Sequence, residues 1–419
     1  MSIEIYFDES NKLDKFTSMF SYYGIISCNH SERRMLEEYK IKTGFRKELH
    51  FVDFNLGLLD YYLKIFKYSL DLIETNIYIV NNDYALNLGE KLNIKPKQMR
   101  NLLYMKIPER LIYGALRKIN DFQNVDIYID GWEGYGNKNS EFFDKDNLAK
   151  FESTILNPKF KEEKKIKDCK QIVNSIYNHV QLPKTLKEQL NAQAIYRGLN
   201  YKVNKCTQES SEEFIGLQLI DIILGIFSFL FEEKYLEMPK NINEDVMDSL
   251  LDNIDLLESE KELLCSSYKK DNNKYKMVLP IEDVKTRSKL KELNKRLKIY
   301  DITNIMKAEL VYLILSDNEI LKKLLDLNIF IWPEDDSKDT NSTIGKTYIS
   351  KYVAVFLNFK NEFDNENIKS IITFHNDNLN KPKYNFNEYR NAIKYPSRLS
   401  NLVKRYLIRL GIECLDSDL

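Results

Sequence analysis

Residues 3–10 read IEIYFDES, and this stretch decides the fold. Its odd-numbered positions from Ile3 to Phe7 are apolar and alternate with more polar positions, which is the period of a β-strand. Asp8 follows at the end of this strand. The aromatic and β-branched run over residues 16–28 predicts one or two further strands, and therefore an early antiparallel ribbon.

Further along the chain, helical periods alternate with short apolar strands. Helices are predicted at residues 30–39, 58–73, 97–119 and 186–199. Strands are predicted at residues 76–82, 125–130 and 200–206. Pro108 should kink or break the helix that contains it. Strands separated by helices of this length pair in parallel, so we expect an α/β fold with a mixed sheet flanked by helices.

Residues 214–231, FIGLQLIDIILGIFSFLF, are almost wholly apolar. Their number reaches the lower limit for a helix that crosses a bilayer. The segment contains Gln218 and Asp221, however, and an aspartate in the middle of a span is costly in lipid. The sequence has no second segment of this kind, so we expect a buried helix and no membrane contact.

The length of 419 residues exceeds the usual size of one hydrophobic core. Beyond about residue 236 strand signals become scarce, and charged amphipathic helices are predicted over 246–264 and 305–327. We therefore predict two domains, an α/β domain over residues 1–235 and a mainly helical accessory domain over residues 236–419.

The composition argues against several classes of protein. A formal net charge of −1 does not support a uniformly basic surface, so any nucleic acid would be bound by local patches. The five cysteines are far apart and form no CxxC pair, which makes a disulfide framework or a zinc site improbable. The N-terminus has no basic segment followed by an apolar run, and we expect a cytoplasmic protein.

Asp221 is the most informative residue, because an ionised carboxylate in an apolar helix needs a cation or hydrogen-bond partners. Gln218, Asp221, Gly225 and Ser228 are spaced to form one polar or small stripe along this helix. The alternative is a structural role, in which Asp221 pairs with a lysine or arginine or caps backbone groups.

Three further carboxylates complete the candidate set. Asp8 and Asp130 each follow an apolar strand, and both could meet at the carboxyl end of one sheet, although aspartate is also a common turn residue. Glu48 could add another oxygen ligand, or it could be a solvated charge beside Lys47. Such a set suits Mg²⁺ or Mn²⁺, and two such ions can cleave phosphodiester bonds.

The pieces YFDES at 6–10, ELH at 48–50, ID at 129–130 and LQLID at 217–221 agree in order and position with a known pattern. By these pieces, residues 1–235 resemble the domain-of-unknown-function family numbered 3800, within the ribonuclease H-like superfamily. The resemblance implies a ribonuclease H-like nuclease domain whose metal ligands are Asp8, Glu48, Asp130 and Asp221, with Asp8 bridging. The kind of family also suggests a role in defence against phage.

The chain departs from this pattern at two positions. The family often has glycine directly after Asp-Glu-Ser, where this chain has Asn11. It usually has a small residue before the last aspartate, where this chain has Ile220. Neither departure removes a ligand, but both change the surroundings of the expected site.

His50 lies two residues after Glu48, so on an extended segment both side chains would face the same way. It could contact a phosphate or move a proton. Two basic clusters, at residues 285–298 and 381–409, could follow a phosphate backbone, or they could be solvated helix faces. The second is interleaved with tyrosines that could stack on bases.

These observations favour a metal-dependent nuclease that hydrolyses DNA or RNA by a two-metal-ion mechanism, with Asp8, Glu48, His50, Asp130 and Asp221 in the site. The accessory domain would help to bind nucleic acid or a protein partner. A first alternative is a catalytically silent ribonuclease H-like module that binds nucleic acid or assembles a complex. A second is an interaction protein whose acids are structural and whose helical domain carries the function.

Overall fold

The computed structural model describes residues 2–11, 13, 18–131, 182–278, 284–297, 299–332 and 341–366. The strands in these ranges are β1 Ser2–Ser10, β2 Phe20–Asn29, β3 Glu74–Asn81, β4 Gln123–Asp130, β5 Tyr201–Glu209, β6 Asn241–Asn243, β7 Tyr268–Asp271, β8 Lys274–Met277 and β9 Asn328–Trp332. The helices are α1 His30–Lys42, α2 Leu59–Ser69, α3 Asn82–Lys91, α4 Pro96–Leu116, α5 at residues 182–197, α6 Ile215–Phe231, α7 Glu244–Leu251, α8 Glu258–Ser267, α9 Val284–Leu297, α10 Ile302–Ser316, α11 Asn318–Leu325 and α12 Asn341–Glu366.

The main sheet is mixed and flanked by helices, which confirms the predicted α/β class. Its strand order is β5-β4-β1-β2-β3-β9. β2 is antiparallel to both β1 and β3, so the early antiparallel ribbon is confirmed, with one strand following β1. β4 and β5 continue in parallel from β1. The strands β1, β4 and β5 therefore end together, at what we call the carboxyl end of the sheet.

The two faces of the sheet carry separate apolar cores. Tyr6 and Tyr128 belong to the core that contains α6, whereas the core on the other face contains residues of α4 and α5. Side chains alternate along a strand, and Asp8 and Asp130 each lie two residues beyond one of these tyrosines. Both aspartates therefore face α6.

Two glycines let α6 lie close to the sheet. A Cβ atom at Gly216 would come within 2.2 Å of the Tyr6 ring, and a Cβ atom at Gly24 within 2.6 Å of Ile220. Gly24 pairs with Asp8 across β1 and β2. The bulk of Ile220, where the resembled family usually has a small residue, is thus accommodated by the missing side chain on β2.

Almost every residue of α6 is buried inside the protein, as predicted from its apolar sequence. In the part of the chain that the structure describes, no helix is long and apolar enough to cross a membrane.

The turn after β1 depends on Asn11, whose backbone adopts a left-handed conformation with a φ of 50°. Asparagine is one of the few residues besides glycine that adopt this conformation readily. Its side-chain amide donates to the hydroxyl of Ser228 on α6 over 2.8 Å. Asn11 therefore supplies the backbone conformation that glycine would provide, and it also fastens the turn to α6.

The helix α4 continues through Pro108, so of the predicted kink or break, the break is wrong. Proline costs about 3 kcal/mol inside a helix, because it removes a hydrogen bond and crowds the preceding turn. Ile107, Leu111 and Ile112 are buried against the sheet on either side of the proline. Their burial offsets this local cost.

Residues beyond 235 complete the main sheet. β9 pairs in parallel with β3, although few strand signals were expected in this part of the chain. Residues of α10 and α12, for example Leu310 and Phe356, belong to the same apolar core as α6. The predicted boundary at residue 235 therefore separates β9, α10 and α12 from the main sheet and the core that they complete.

A third, smaller core lies between Met238 and Ile299 in the sequence. It contains the sheet β6-β8-β7 together with residues of α7, α8 and α9. The helix predicted over 246–264 is divided there into α7 and α8.

The helix predicted over 305–327 is likewise divided, into α10 and α11. Asp317 causes the division, because its carboxylate accepts hydrogen bonds from the backbone N–H groups of Glu319 and Ile320, over 3.0 and 3.2 Å. Aspartate is favoured at this capping position. The apolar period continues through residues 316–318, so it did not reveal that a new helix, α11, begins there.

Candidate functional site

Asp8 and Asp130 lie side by side at the carboxyl end of the sheet. Phe7 pairs with Ile129 in the parallel register of β1 and β4, and each aspartate is the next residue along its strand. Neighbouring strands are about 4.8 Å apart. The convergence expected from the two sequence patterns is therefore present in the backbone.

Asp8 is half-buried, and its surroundings disfavour its charged form. Burial raises the pKa of Asp8 well above its ordinary range, and the negative charges of Asp130, Asp221 and Glu9 raise it further. The backbone N–H of Glu9 donates to the Asp8 carboxylate over 2.7 Å and lowers the pKa in part. The aspartates of β4 and α6 thus both act electrostatically on the aspartate of β1.

Asp221 accepts a hydrogen bond from the backbone N–H of Phe51 over 2.8 Å. Burial raises its pKa, the charge of Glu48 raises it further, and His50 and the Phe51 N–H lower it. Within the described residues, no lysine or arginine forms an ion pair with Asp221, and the nearest basic atom is Nδ1 of His50 at 4.0 Å. The described part of the chain therefore provides no lysine or arginine ion-pair partner for this partly buried carboxylate.

The polar stripe on α6 holds the segment 48–51. The side-chain oxygen of Gln218 accepts hydrogen bonds from the Leu49 N–H over 3.2 Å and from the Lys40 ammonium over 2.7 Å. Gly225 receives the Phe51 ring, which a Cβ atom there would approach to 2.3 Å. Gln218 and Gly225, two members of the predicted stripe, thus hold the segment 48–51 beside Asp221.

Glu48 and His50 lie on the side of the site that Asp221 faces. The charge of Glu48 acts on both Asp221 and Lys40, so Glu48 lies near both groups. Nδ1 of His50 accepts the backbone N–H of Val52 over 3.3 Å, which leaves Nε2 as the protonated nitrogen of a neutral ring. The hydroxyl of Tyr62 accepts the backbone N–H of His50 over 2.9 Å and so fixes this turn.

Lys307 adjoins the site but was not among the residues expected there. It lies on α10, and its Nζ is 5.5 Å from the centroid of the Phe51 ring. Its positive charge lowers the pKa of Asp221. A signal was present in the sequence, because the largely apolar stretch 305–316 contains two charges, Lys307 and Glu309, and charges in an apolar helix need partners.

Three cations of the basic cluster at 285–298 make contacts within the protein. Arg287 pairs with the fully buried Glu232 at 2.6 Å, and Arg296 pairs with Glu260 at 2.5 Å. Lys291 donates to the backbone carbonyl of Glu232. These three cations hold α9 in place and do not form a free face for a phosphate backbone. The cluster at 381–409 lies outside the described residues.

The side chains as they stand form no group of three histidine, cysteine, aspartate or glutamate residues that could hold a metal ion, within the ranges that the structure describes. The backbone brings the aspartates near one another, but the described side chains do not form a coordinating arrangement. Comparison with known proteins gives no match, either to a protein-family model or to a curated protein. The resemblance stated above therefore rests on the quoted residues.

Proposed function

We propose that this protein is a metal-dependent nuclease that hydrolyses phosphodiester bonds of DNA or RNA by a two-metal-ion mechanism. One observation carries the proposal. Asp130 on β4 and Asp221 on α6 lie near enough to Asp8 on β1 for their negative charges, together with burial, to raise the pKa of Asp8. The ribonuclease H-like assignment of the fold belongs to the same proposal, and the mixed sheet flanked by helices supports it.

The chemistry of the donor set fits Mg²⁺ or Mn²⁺. Carboxylate oxygens are the ligands that these ions prefer in proteins. Several carboxylates at one partly buried place are unfavourable without a cation, and Asp221 has no lysine or arginine partner in the described residues. Asp8 and Asp130 stand on adjacent strands, where carboxylates can share one cation.

In this proposal, Asp8, Glu48, Asp130 and Asp221 would hold the cations. Bound cations would supply a more acidic water and stabilisation of the leaving oxygen. The hydrogen bond from the Phe51 N–H keeps the Asp221 carboxylate directed towards the segment 48–51. The hydrogen bond to the Tyr62 hydroxyl keeps the backbone of His50 in place. The His50 ring, partly exposed beside Asp221, is placed to exchange a proton through Nε2.

The second candidate is a catalytically silent module of the same fold that binds nucleic acid or assembles a complex. The observation that favours it is the lack, in the described part of the chain, of three side chains arranged to hold a metal ion. In that case the repulsion between the aspartates would serve no catalytic purpose, and binding would not depend on a divalent cation.

Cleavage assays distinguish the two. Single- and double-stranded DNA and RNA are incubated with Mg²⁺, Mn²⁺ or chelator, with wild type, Asp8→Asn, Asp221→Asn and the control Asp121→Asn, an exposed aspartate before β4. We expect cleavage by wild type and the control with metal only, and a loss of about 100-fold or more in the two site variants. Mn²⁺ should also raise the Tm of wild type more than that of Asp8→Asn.

Metal-independent cleavage that both site variants retain would exclude the two-metal proposal. Binding of nucleic acid by wild type without any cleavage, and without a shift of Tm by Mn²⁺, would support the silent module instead.

A further inference from the structure

Two lysines from beyond the end of α6 lie next to the site. Lys234 follows α6, and its Nζ lies 3.3 Å from the hydroxyl of Ser228. Lys307 reaches the site from α10, where its Nζ stands 5.5 Å from the centroid of the Phe51 ring. Lys307 belongs to the part of the chain that was predicted to form the accessory domain, whereas Lys234 lies at the end of the predicted α/β domain.

The two ammonium groups lie close enough to repel each other. Burial lowers the pKa of Lys307 to about 8, and the charge of Lys234 is the next largest cause, to which Lys240 adds. Asp301 and Asp53 act in the opposite direction.

These lysines have no close carboxylate partner in the described residues, where the ion pairs within 4.0 Å involve other side chains. Like charges held together in this way are unfavourable unless an anion lies between them. The two lysines thus place positive charges near each other, as the aspartates place negative charges near one another.

Contacts with shared neighbours connect the lysines to the aspartates. Ser228, next to Lys234, accepts a hydrogen bond from the side-chain amide of Asn11 over 2.8 Å, and Asn11 lies three residues after Asp8, directly after β1. Phe51, next to Lys307, donates its backbone N–H to Asp221 over 2.8 Å. The positive and negative groups therefore border one site.

We propose that Lys234 and Lys307 form a phosphate subsite, which takes the non-bridging oxygens of a nucleic-acid phosphodiester next to the bond at the aspartates. The inference rests on the proposed function, and it names the groups that would hold the strand. It also gives α10 a direct part in the site. Lysine suits this role because its ammonium group is a compact cation with three donors.

The test measures binding separately from cleavage. Full-length wild type, Lys234→Gln, Lys307→Gln and the double variant are titrated into short fluorescently labelled single-stranded DNA and RNA in chelator, over a series of salt concentrations. The control is Lys322→Gln, which removes an exposed lysine on α11. Circular dichroism and thermal unfolding of each variant check the fold, and Lys234→Gln decides the question if Lys307→Gln unfolds.

We expect each site variant to bind several-fold more weakly, and the slope of log affinity against log salt to fall by about 0.7 per lost phosphate contact on a single strand. The control should keep the wild-type slope, and Lys307→Arg should restore it. Wild-type slopes in both glutamine variants, or no measurable binding by wild type, overturn the subsite.

The failure of this inference can be told apart from failure of the proposed function. Cleavage by wild type together with unchanged slopes in the variants removes the subsite and leaves the nuclease. Reduced slopes without any cleavage by wild type keep the subsite and remove the nuclease.

Discussion

The backbone N–H of Phe51 donates to the carboxylate of Asp221 over 2.8 Å, although 170 positions separate the two residues in the chain. This one contact joins the segment that carries Glu48 and His50 to the helix that carries the last aspartate. The Phe51 ring continues the contact, because it lies on Gly225 and under the ammonium group of Lys307. Phe51 is therefore the point at which three separate parts of the chain meet at the site.

Replacing Gly225 by alanine should displace the segment 48–51. A Cβ atom at this position would stand 2.3 Å from the Phe51 ring, so the ring must move and the Phe51 N–H must withdraw from Asp221. We expect a loss of roughly 1–3 kcal/mol in the free energy of unfolding from the overpacking. Any nuclease activity should fall with it, and urea unfolding and the cleavage assay measure the two effects.

The matched control is Gly114→Ala, a second substitution within a helix. No atom lies within 4 Å of a Cβ atom at Gly114, so the substitution should stabilise the protein by up to about 1 kcal/mol through helix propensity. Equal changes in the free energy of unfolding for the two substitutions would show that the Phe51 ring is not closely packed against Gly225.

The stability of the protein should depend on pH through Asp8. Its pKa in the folded state lies above its ordinary value of 3.8, because of burial and the neighbouring aspartates. In the window between the two values the native state binds more protons than the unfolded state, so stability falls as pH rises through this window. Asp8→Asn removes the titration but keeps an oxygen to accept the Glu9 N–H.

We therefore expect wild type in chelator to lose stability relative to Asp8→Asn as the pH is raised from about 4 to neutrality. Urea unfolding at several pH values measures the difference. Parallel pH profiles of the two proteins would contradict the electrostatic coupling at the site.

Glu232 should be essential for stability. Its side chain is fully buried, accepts the backbone N–H groups of Met19 and Phe20 over 3.2 and 3.0 Å, and pairs with Arg287 at 2.6 Å. Glu232→Ala leaves a guanidinium and two N–H groups without their acceptor, and we expect a loss of roughly 3–5 kcal/mol on urea unfolding.

Glu258→Ala is the control for this substitution, because the Glu258 side chain is 87% exposed although it also forms an ion pair. Its loss should cost no more than about 1 kcal/mol. A similar small cost at Glu232 would mean that the β2 end and α9 are held together by other contacts.

Lys307 should react with amine reagents at lower pH than ordinary lysines. Burial and the neighbouring Lys234 lower its pKa to about 8, so about half of its side chains are neutral, and nucleophilic, near pH 8. The exposed Lys322 serves as the reference lysine in the same experiment. Limited acylation over a pH series, read by peptide mass spectrometry, should give a midpoint near 8 for Lys307. A profile like that of Lys322 would contradict the crowding of positive charge.

Much of the α/β unit was predictable because its signals are local. The alternation in β1, the apolar run of α6 and the aspartates that follow β1 and β4 all lie within short windows of sequence. The predictions failed where a distant contact outweighs a local preference. α4 passes through Pro108 because both sides of the proline are buried, and the expected helix over 305–327 ends early because Asp317 caps a new one.

The amino-acid sequence by itself determined which residues form strands and helices around the site, and which carboxylates lack an obvious structural role. Only the tertiary structure decided that β9 joins the main sheet, that Gly24 and Gly225 are the points of closest approach, and that Lys307 reaches the aspartates. The reason is physical. Periodicity and burial preference act between residues that are near in the chain, whereas close packing and charge coupling depend on which surfaces meet in space.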